Sequence, residues 1–110
     1  MSQTTEALGA AKRRMSALAR STPDFFGDFS SLSGKAMAAG QLSPGTKELM
    51  AIAIAVVQGC DDCILYHVER TKQHGSDEAQ LVEALQVAIE MGGGPAVMYA
   101  ARALDAFRAS

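Results

Sequence analysis

Residues 44–74 read PGTKELMAIAIAVVQGCDDCILYHVERTKQH, and the fold depends on this stretch more than on any other. Ser43 and Pro44 form a helix start signal, because serine caps helix N-termini and proline suits the first helical turn. The run LMAIAIAVV that follows is apolar on every face and rich in alanine. It predicts a helix over 44–58 that is the central, buried element of the protein.

The second half of the stretch predicts another helix, over 60–74. Gly59 interrupts the apolar run, and Gly75 occupies the position after the helix where glycine is the preferred residue. Because a single glycine joins the two helices, we expect them to pack against each other in an antiparallel arrangement.

The rest of the chain shows the same pattern of short breaks between helical segments. Serine, proline and glycine clusters separate stretches whose apolar residues recur every three or four positions. The basic residues Lys12, Arg13 and Arg14 fall opposite the apolar face of the first segment, and we interpret them as a solvated face. The remaining predicted helices span residues 4–19, 23–39, 77–91 and 95–109. The sequence therefore predicts an all-α bundle of about six helices, with a single domain over 1–110.

Composition excludes several classes of protein. The chain is 48% hydrophobic and 20% charged, which does not fit a disordered segment. A net charge of −2 argues against nucleic acid or a membrane surface as a partner. The N-terminus lacks the apolar segment of a secretory signal, and the longest apolar run, residues 49–57, is far shorter than the about 20 residues of a membrane span. We therefore expect a cytoplasmic protein.

The two cysteines are the first candidates for chemistry. They are too few for a disulfide scaffold, and in a reducing compartment a close pair is typically catalytic or metal-binding. Cys60, Cys63 and His67 follow one another at spacings of three and four residues, which places them on one helix face. Cys60 lies at the helix N-terminus, where unpaired N–H groups and the dipole favour a thiolate. His67 is placed to accept the proton of Cys63.

Glu48 is the second candidate, because a carboxylate is costly to bury in an apolar helix without a partner. If the two helices fold back at Gly59, Glu48 lies beside Arg70 and within a turn of His67. This geometry predicts a relay from Glu48 through His67 to Cys63, in the manner of a catalytic triad. A simpler interpretation pairs Glu48 with Arg70 alone.

The cysteine motif has two other interpretations, a zinc site and an inert buried cysteine pair. Zinc would need Cys60, Cys63, His67 and His74 around one ion, yet Cys60 and His74 are roughly 21 Å apart along a straight helix. We therefore expect no metal and no cofactor, and we interpret His74 as a favourable contact with the helix C-terminus. If the cysteines were only an inert buried pair, two features would have no explanation: their position at the helix N-terminus and the presence of Glu48 in the apolar helix that precedes them.

At these residues the sequence resembles the alkylhydroperoxidase D-like branch of the carboxymuconolactone decarboxylase family. The resemblance lies in Glu48, eleven residues, then Cys60-x-x-Cys63-x-x-x-His67, and in the run MGGGPAVMYA at 91–100; it covers about residues 20–108. It implies the all-helical fold of that family and assembly into trimers or hexamers. It also implies thiol-dependent reduction of organic hydroperoxides in antioxidant defence. The number of apolar helix faces independently predicts a homo-oligomer, since one core cannot bury them all.

The resemblance also implies a role for each site residue. Cys63 would be the thiol that reacts with peroxide, deprotonated through His67 and Glu48, and Cys60 would resolve the sulfenic acid as a disulfide. An external dithiol, such as a lipoylated protein, would reduce the pair again. The residues alone leave the two cysteine roles open, because Cys60 is nearer the helix end and Cys63 is nearer the base.

Two departures from the family pattern qualify this expectation. Asp62 stands where the alkylhydroperoxidase has a histidine, and its negative charge disfavours a thiolate; the chain is also shorter than that enzyme. The decarboxylase branch lacks the cysteine pair, so we do not expect lactone decarboxylation. The alternatives are a disulfide oxidoreductase without peroxide specificity and a non-catalytic, redox-sensing oligomeric module.

Overall fold

Six α-helices follow one another in the computed structural model, which describes residues 2–110. The ends of the helices lie within about two residues of the predicted positions, the range expected for helix boundaries. No strand occurs between residues 2 and 110. The helices are α1 (Gln3–Ser21), α2 (Pro23–Met37), α3 (Pro44–Gln58), α4 (Asp61–Gln73), α5 (Glu78–Gly92) and α6 (Gly94–Ala109). The predicted all-α bundle is confirmed.

The turn between α3 and α4 forms where the sequence predicts it. The hydroxyl of Ser43 accepts a hydrogen bond from the Thr46 backbone N–H (3.1 Å) and caps the start of α3. Gly59 has φ 70°, a left-handed conformation that glycine adopts without steric cost, and it ends α3. Cys60 follows at once as the N-cap of α4. The sharp reversal therefore places the cysteines at the junction of the two helices.

The hydrophobic core lies between α3, α4, α5 and α6. Its branched aliphatic members are on α3, α4 and α5, whereas α6 contributes four buried alanines and Phe107. Small side chains on α6 let its backbone approach the other helices closely. The largest fully buried aliphatic side chains of the core are Ile52, Val56, Ile64, Val68 and Leu81.

Helix α3 is central, but only one side of it is buried within the chain. It contacts α2, α4, α5 and α6. Within one chain α3 is not buried on every side, because Met50, Ile54 and Val57 are 48%, 55% and 48% exposed. One chain does not have enough helices to surround α3. An apolar stripe on this helix therefore faces outward.

The first two helices contribute no residue to the hydrophobic core. Neither α1 nor α2 contains a buried residue. The basic residues of α1 are more than a solvated face, because the Nζ of Lys12 contacts Glu69 at 2.7 Å and a guanidinium nitrogen of Arg14 contacts Asp62 at 2.9 Å. Ion pairs with α4 thus join α1 to the bundle, while α2 leaves Phe25 74% exposed.

None of the helices within residues 2–110 combines the length and the apolar character needed to span a lipid bilayer.

Candidate active site

Cys60 and Cys63 are joined in a disulfide at the start of α4. Their Cα atoms lie 5.2 Å apart, a separation that a single helical turn supplies. The Sγ of Cys60 also accepts a hydrogen bond from the backbone N–H of Cys63 (3.2 Å), as an N-cap side chain does. Both residues are partly exposed. The pair is therefore accessible and geometrically able to cycle between dithiol and disulfide.

Glu48 is buried against α4, with a side chain only 1% exposed. Its Oε1 lies 2.7 Å from the Nδ1 of His67, and its Oε2 accepts a hydrogen bond of 3.0 Å from the Nε of Arg70. The two partners that the sequence offered as alternatives are both present, one on each carboxylate oxygen. The antiparallel packing of α3 on α4 produces this arrangement.

The hydrogen bond to Glu48 defines the chemistry open to His67. A carboxylate can only accept hydrogen bonds, so a neutral His67 carries its proton on Nδ1 and keeps Nε2 as a base. His67 lies one turn after Cys63 on the same face of α4, and its side chain is 24% exposed. The ring can therefore exchange protons at the cysteine end of the helix.

Arg70 and Tyr66 complete the surroundings of the carboxylate. The hydrogen bond to Glu48 raises the pKa of Arg70 above its usual value, so the guanidinium stays charged. The central carbon of the Arg70 guanidinium lies 5.8 Å from the centre of the Tyr66 ring. The Tyr66 and His67 rings meet edge-to-face, with 5.1 Å between their centres. Sequence reasoning did not assign Tyr66 to the site, because an aromatic residue beside a histidine fits a core equally well.

The two acidic residues between the cysteines each face an arginine from another helix. Asp62 pairs with Arg14 of α1 at 2.9 Å, and Asp61 pairs with Arg102 of α6 at 3.3 Å. These pairs are exposed, so each offsets only part of the negative charge near the sulfurs. The sequence held no signal for them, since the partners are more than 40 residues apart.

Tyr99 of α6 is a second residue that sequence reasoning did not assign to the site. A Cβ at Gly59 would lie 3.2–3.3 Å from its ring and hydroxyl, so the tyrosine covers the turn directly before Cys60. The guanidinium of Arg102 lies 5.7 Å from the centre of the same ring. Tyr99 therefore packs against the turn that leads into the cysteine pair.

The remaining sequence candidate, His74, lies at the far end of α4. It is the C-cap of the helix and is separated from the disulfide by its whole length. Residues 2–110 contain no cluster of three or more histidine, cysteine, aspartate or glutamate side chains that could hold a metal ion. The structure thus brings together Cys60 with Cys63 and Glu48 with His67, and it leaves His74 apart.

Two known proteins are similar in sequence to this chain. The chain is 42% identical to an uncharacterized protein of Cupriavidus necator over 97 residues, which cover 88% of this chain and 86% of that protein. It is 41% identical over 76 residues to an uncharacterized protein from the cox locus of Paracoccus denitrificans, covering 69% and 68% of the two chains.

Two solved structures are also similar. A carboxymuconolactone decarboxylase family protein of Legionella pneumophila has a TM-score of 0.94 at 34% identity, covering 97% of this chain and 96% of its own. A Thermotoga maritima protein has a TM-score of 0.77 at 30% identity, covering 94% and 88%, and is described as a member of the same family with a possible involvement in antioxidative response. Residues 23–106 match the model of the carboxymuconolactone decarboxylase family. The chain therefore belongs to the carboxymuconolactone decarboxylase family.

Proposed function

We propose that this protein is a thiol-dependent peroxidase that reduces organic hydroperoxides through Cys60 and Cys63. One observation carries the proposal: Cys60 and Cys63 can form a disulfide one helical turn from His67, whose ring is hydrogen-bonded to the buried carboxylate of Glu48. This combination supplies a nucleophile, a base and a resolving thiol within one site. The family includes enzymes, and the description of the Thermotoga maritima relative points in the same direction.

The proposed reaction begins from the reduced pair. His67 accepts the proton of Cys63, and the thiolate attacks the terminal oxygen of the hydroperoxide. The O–O bond breaks, the sulfur is oxidised to a sulfenic acid, and the alkoxide leaves as an alcohol after taking up a proton. The thiolate of Cys60 then attacks the sulfenic sulfur, and water leaves as the disulfide forms.

An external dithiol must return the two electrons that the peroxide removes. One of its thiolates attacks the disulfide to give a mixed disulfide, and its second thiol releases the reduced protein in a further exchange. The resemblance to the alkylhydroperoxidase branch suggests a lipoylated protein as this reductant. The cycle suits the cytoplasm, where thiols are kept reduced.

The proposal is tested by adding one equivalent of cumene hydroperoxide to the fully reduced protein without oxygen. We expect the intact mass to fall by about 2 Da within seconds as the disulfide forms. Cumyl alcohol should appear in equal amount, and dihydrolipoamide should then sustain turnover. Thiols that survive many minutes of excess peroxide would exclude the peroxidase function.

A disulfide oxidoreductase is the second candidate, and the acidic residues favour it. Asp61 and Asp62 place negative charge beside the sulfurs, which slows reaction with peroxide relative to a cysteine pair without them. If peroxide leaves the thiols intact but a disulfide substrate oxidises them rapidly, this second function replaces the first. A stoichiometric change of assembly without turnover would instead indicate a redox-sensing module.

The proposal includes self-association, with a second copy of this chain covering α2. Phe25, Phe29 and Leu32 lie on one face of this helix and are 74%, 57% and 62% exposed. A 15-residue helix without a buried side chain gains little from its own chain, and isolated helices of that length are marginal in water. Burial against a second copy would stabilise it.

Replacing Phe29 with glutamate is therefore expected to weaken the assembly, because it places a charge in the covered face. Light scattering at micromolar concentration should show an oligomer, a trimer or a hexamer by family resemblance, for the unmodified protein and a smaller species for Phe29→Glu. Ser30→Glu adds the same charge on the other side of α2 and should leave the mass unchanged. A monomeric unmodified protein would contradict the prediction.

A further inference from the structure

The carboxylate of Glu48 has two partners, Arg70 and His67, which differ in how they carry positive charge. Arg70 carries a permanent charge, whereas His67 is charged only when protonated. Both bind directly, at 3.0 Å and 2.7 Å, to a group with 1% exposure. Glu48 therefore has one partner whose charge is fixed and one whose charge depends on pH.

Removal of Arg70 would change the charge balance around Glu48. A buried carboxylate requires a compensating positive charge or must itself be protonated. With Arg70 in place, the guanidinium supplies that charge, and the Glu48–His67 pair does not need to hold an extra proton. Without Arg70, the pair would retain one proton, either as an imidazolium beside the carboxylate or as a carboxylic acid. In either form His67 could no longer accept a proton from a thiol.

We infer that Arg70 is a positioning residue, which keeps the Glu48–His67 pair free of an extra proton at neutral pH so that the Nε2 of His67 acts as a base. The consequence for peroxide reduction rests on the proposed function. The effect on His67 itself does not, since it follows from contacts within the folded chain.

Several other charged groups on the helices that contact α4 have partners of their own, including Lys47 of α3, whose Nζ donates hydrogen bonds to the backbone oxygens of Ala36 and Ala38. Helix α1 contributes Lys12 and Arg14, which pair with acids of α4, and α6 contributes Arg102, which pairs with Asp61. The Nζ of Lys72 contacts the backbone oxygens of Phe107 and Ser110 at the end of α6. Glu48 and Tyr66 contact the His67 ring directly, and Cys63 lies one turn before it on α4. Arg70 is the cation bound directly to the same carboxylate as His67.

The inference is tested by NMR titration of the two histidine rings in the oxidised protein. In Arg70→Gln we expect the titration midpoint of His67 to rise by about one pH unit, a tenfold gain in proton affinity. His74 lies at the other end of α4 and serves as an internal reference that should not shift. Arg70→Lys keeps the charge and should bring the His67 midpoint most of the way back to that of the unmodified protein.

A second variant keeps the test decisive if Arg70→Gln is poorly folded. Glu48→Gln/Arg70→Gln removes both charges, and its His67 midpoint should not rise above that of the unmodified protein. An unchanged or lower midpoint in Arg70→Gln, or equal shifts in the lysine and glutamine variants, would overturn the inference.

The kinetic measurement separates this inference from the proposed function. If both are correct, the pH below which thiol oxidation by peroxide slows should be higher in Arg70→Gln than in the unmodified protein. The increase should equal the shift of the His67 midpoint measured by NMR. If the midpoint moves but no variant reduces peroxide, the role of Arg70 stands and the peroxidase function fails.

Discussion

Replacement of Cys63 by serine is expected to abolish hydroperoxide reduction, with turnover falling to the uncatalysed background. A serine hydroxyl does not ionise near neutral pH and is not oxidised by peroxide, so the nucleophile is lost while the side-chain volume hardly changes. Losing a covalent nucleophile typically costs about 10³-fold or more in rate. Stopped-flow measurement of peroxide loss with dihydrolipoamide as reductant provides the comparison.

Cys60→Ser is the matched control, because it removes the other sulfur of the same turn. Its reduced form should gain about 16 Da with one equivalent of peroxide, the mass of one oxygen, since the sulfenic acid has no partner thiol. Dimedone should trap this species on Cys63. If Cys60→Ser is inert and Cys63→Ser gains the oxygen instead, the two cysteine roles are reversed.

The second large effect is expected for Glu48→Gln. The amide has nearly the same shape but no charge, so it neither holds the Nδ1 proton of His67 as firmly nor stabilises the imidazolium that forms when the thiol loses its proton. General-base catalysis is typically worth about 10²–10⁴-fold, and we expect the rate of Cys63 oxidation to fall by about 10²-fold. Single-turnover kinetics on the reduced protein measure this step directly.

Glu69→Gln, the same substitution at a partly exposed carboxylate, is the control for Glu48→Gln. Glu69 lies on α4 and pairs with Lys12 at 2.7 Å, and the side chains of Glu69 and Lys12 are 35% and 45% exposed. Exposed pairs contribute roughly 0–1 kcal/mol, so neither rate nor stability should change much. Equal rates for Glu48→Gln and the unmodified protein would remove Glu48 from the mechanism.

Denaturant unfolding adds a measure of what the Glu48 contacts do for the fold. Hydrogen bonds to charged groups contribute about 1.5–3 kcal/mol each, so Glu48→Gln should lower the free energy of unfolding by a few kcal/mol. The loss is moderated because Arg70 is 38% exposed and water can solvate its guanidinium once the carboxylate is gone. A kinetic defect with little loss of stability would separate the catalytic part of Glu48 from its structural part.

The helices and the local geometry of the cysteine pair follow from the sequence alone. Their signals are short-range: Ser43 and Pro44 begin α3, Gly59 ends it, and spacings of three and four residues align Cys60, Cys63 and His67. Interactions within one or two helical turns depend on neighbours along the chain, so a pattern of residue types is enough to predict them. The contact of Glu48 with α4 was predictable for a related reason, since a turn of only two residues, Gly59 and Cys60, leaves two helices little choice of register.

Tertiary structure alone determines which long-range partners complete the site and which apolar faces remain open. Arg14 and Arg102 meet Asp62 and Asp61 from helices 48 and 41 residues away, and Tyr99 covers Gly59 from α6. Similarly, the exposed stripe of α3 could not be predicted from the run LMAIAIAVV, whose residues are all apolar. Burial depends on how many helices the chain can place around a given face, and that number is a property of the packed bundle.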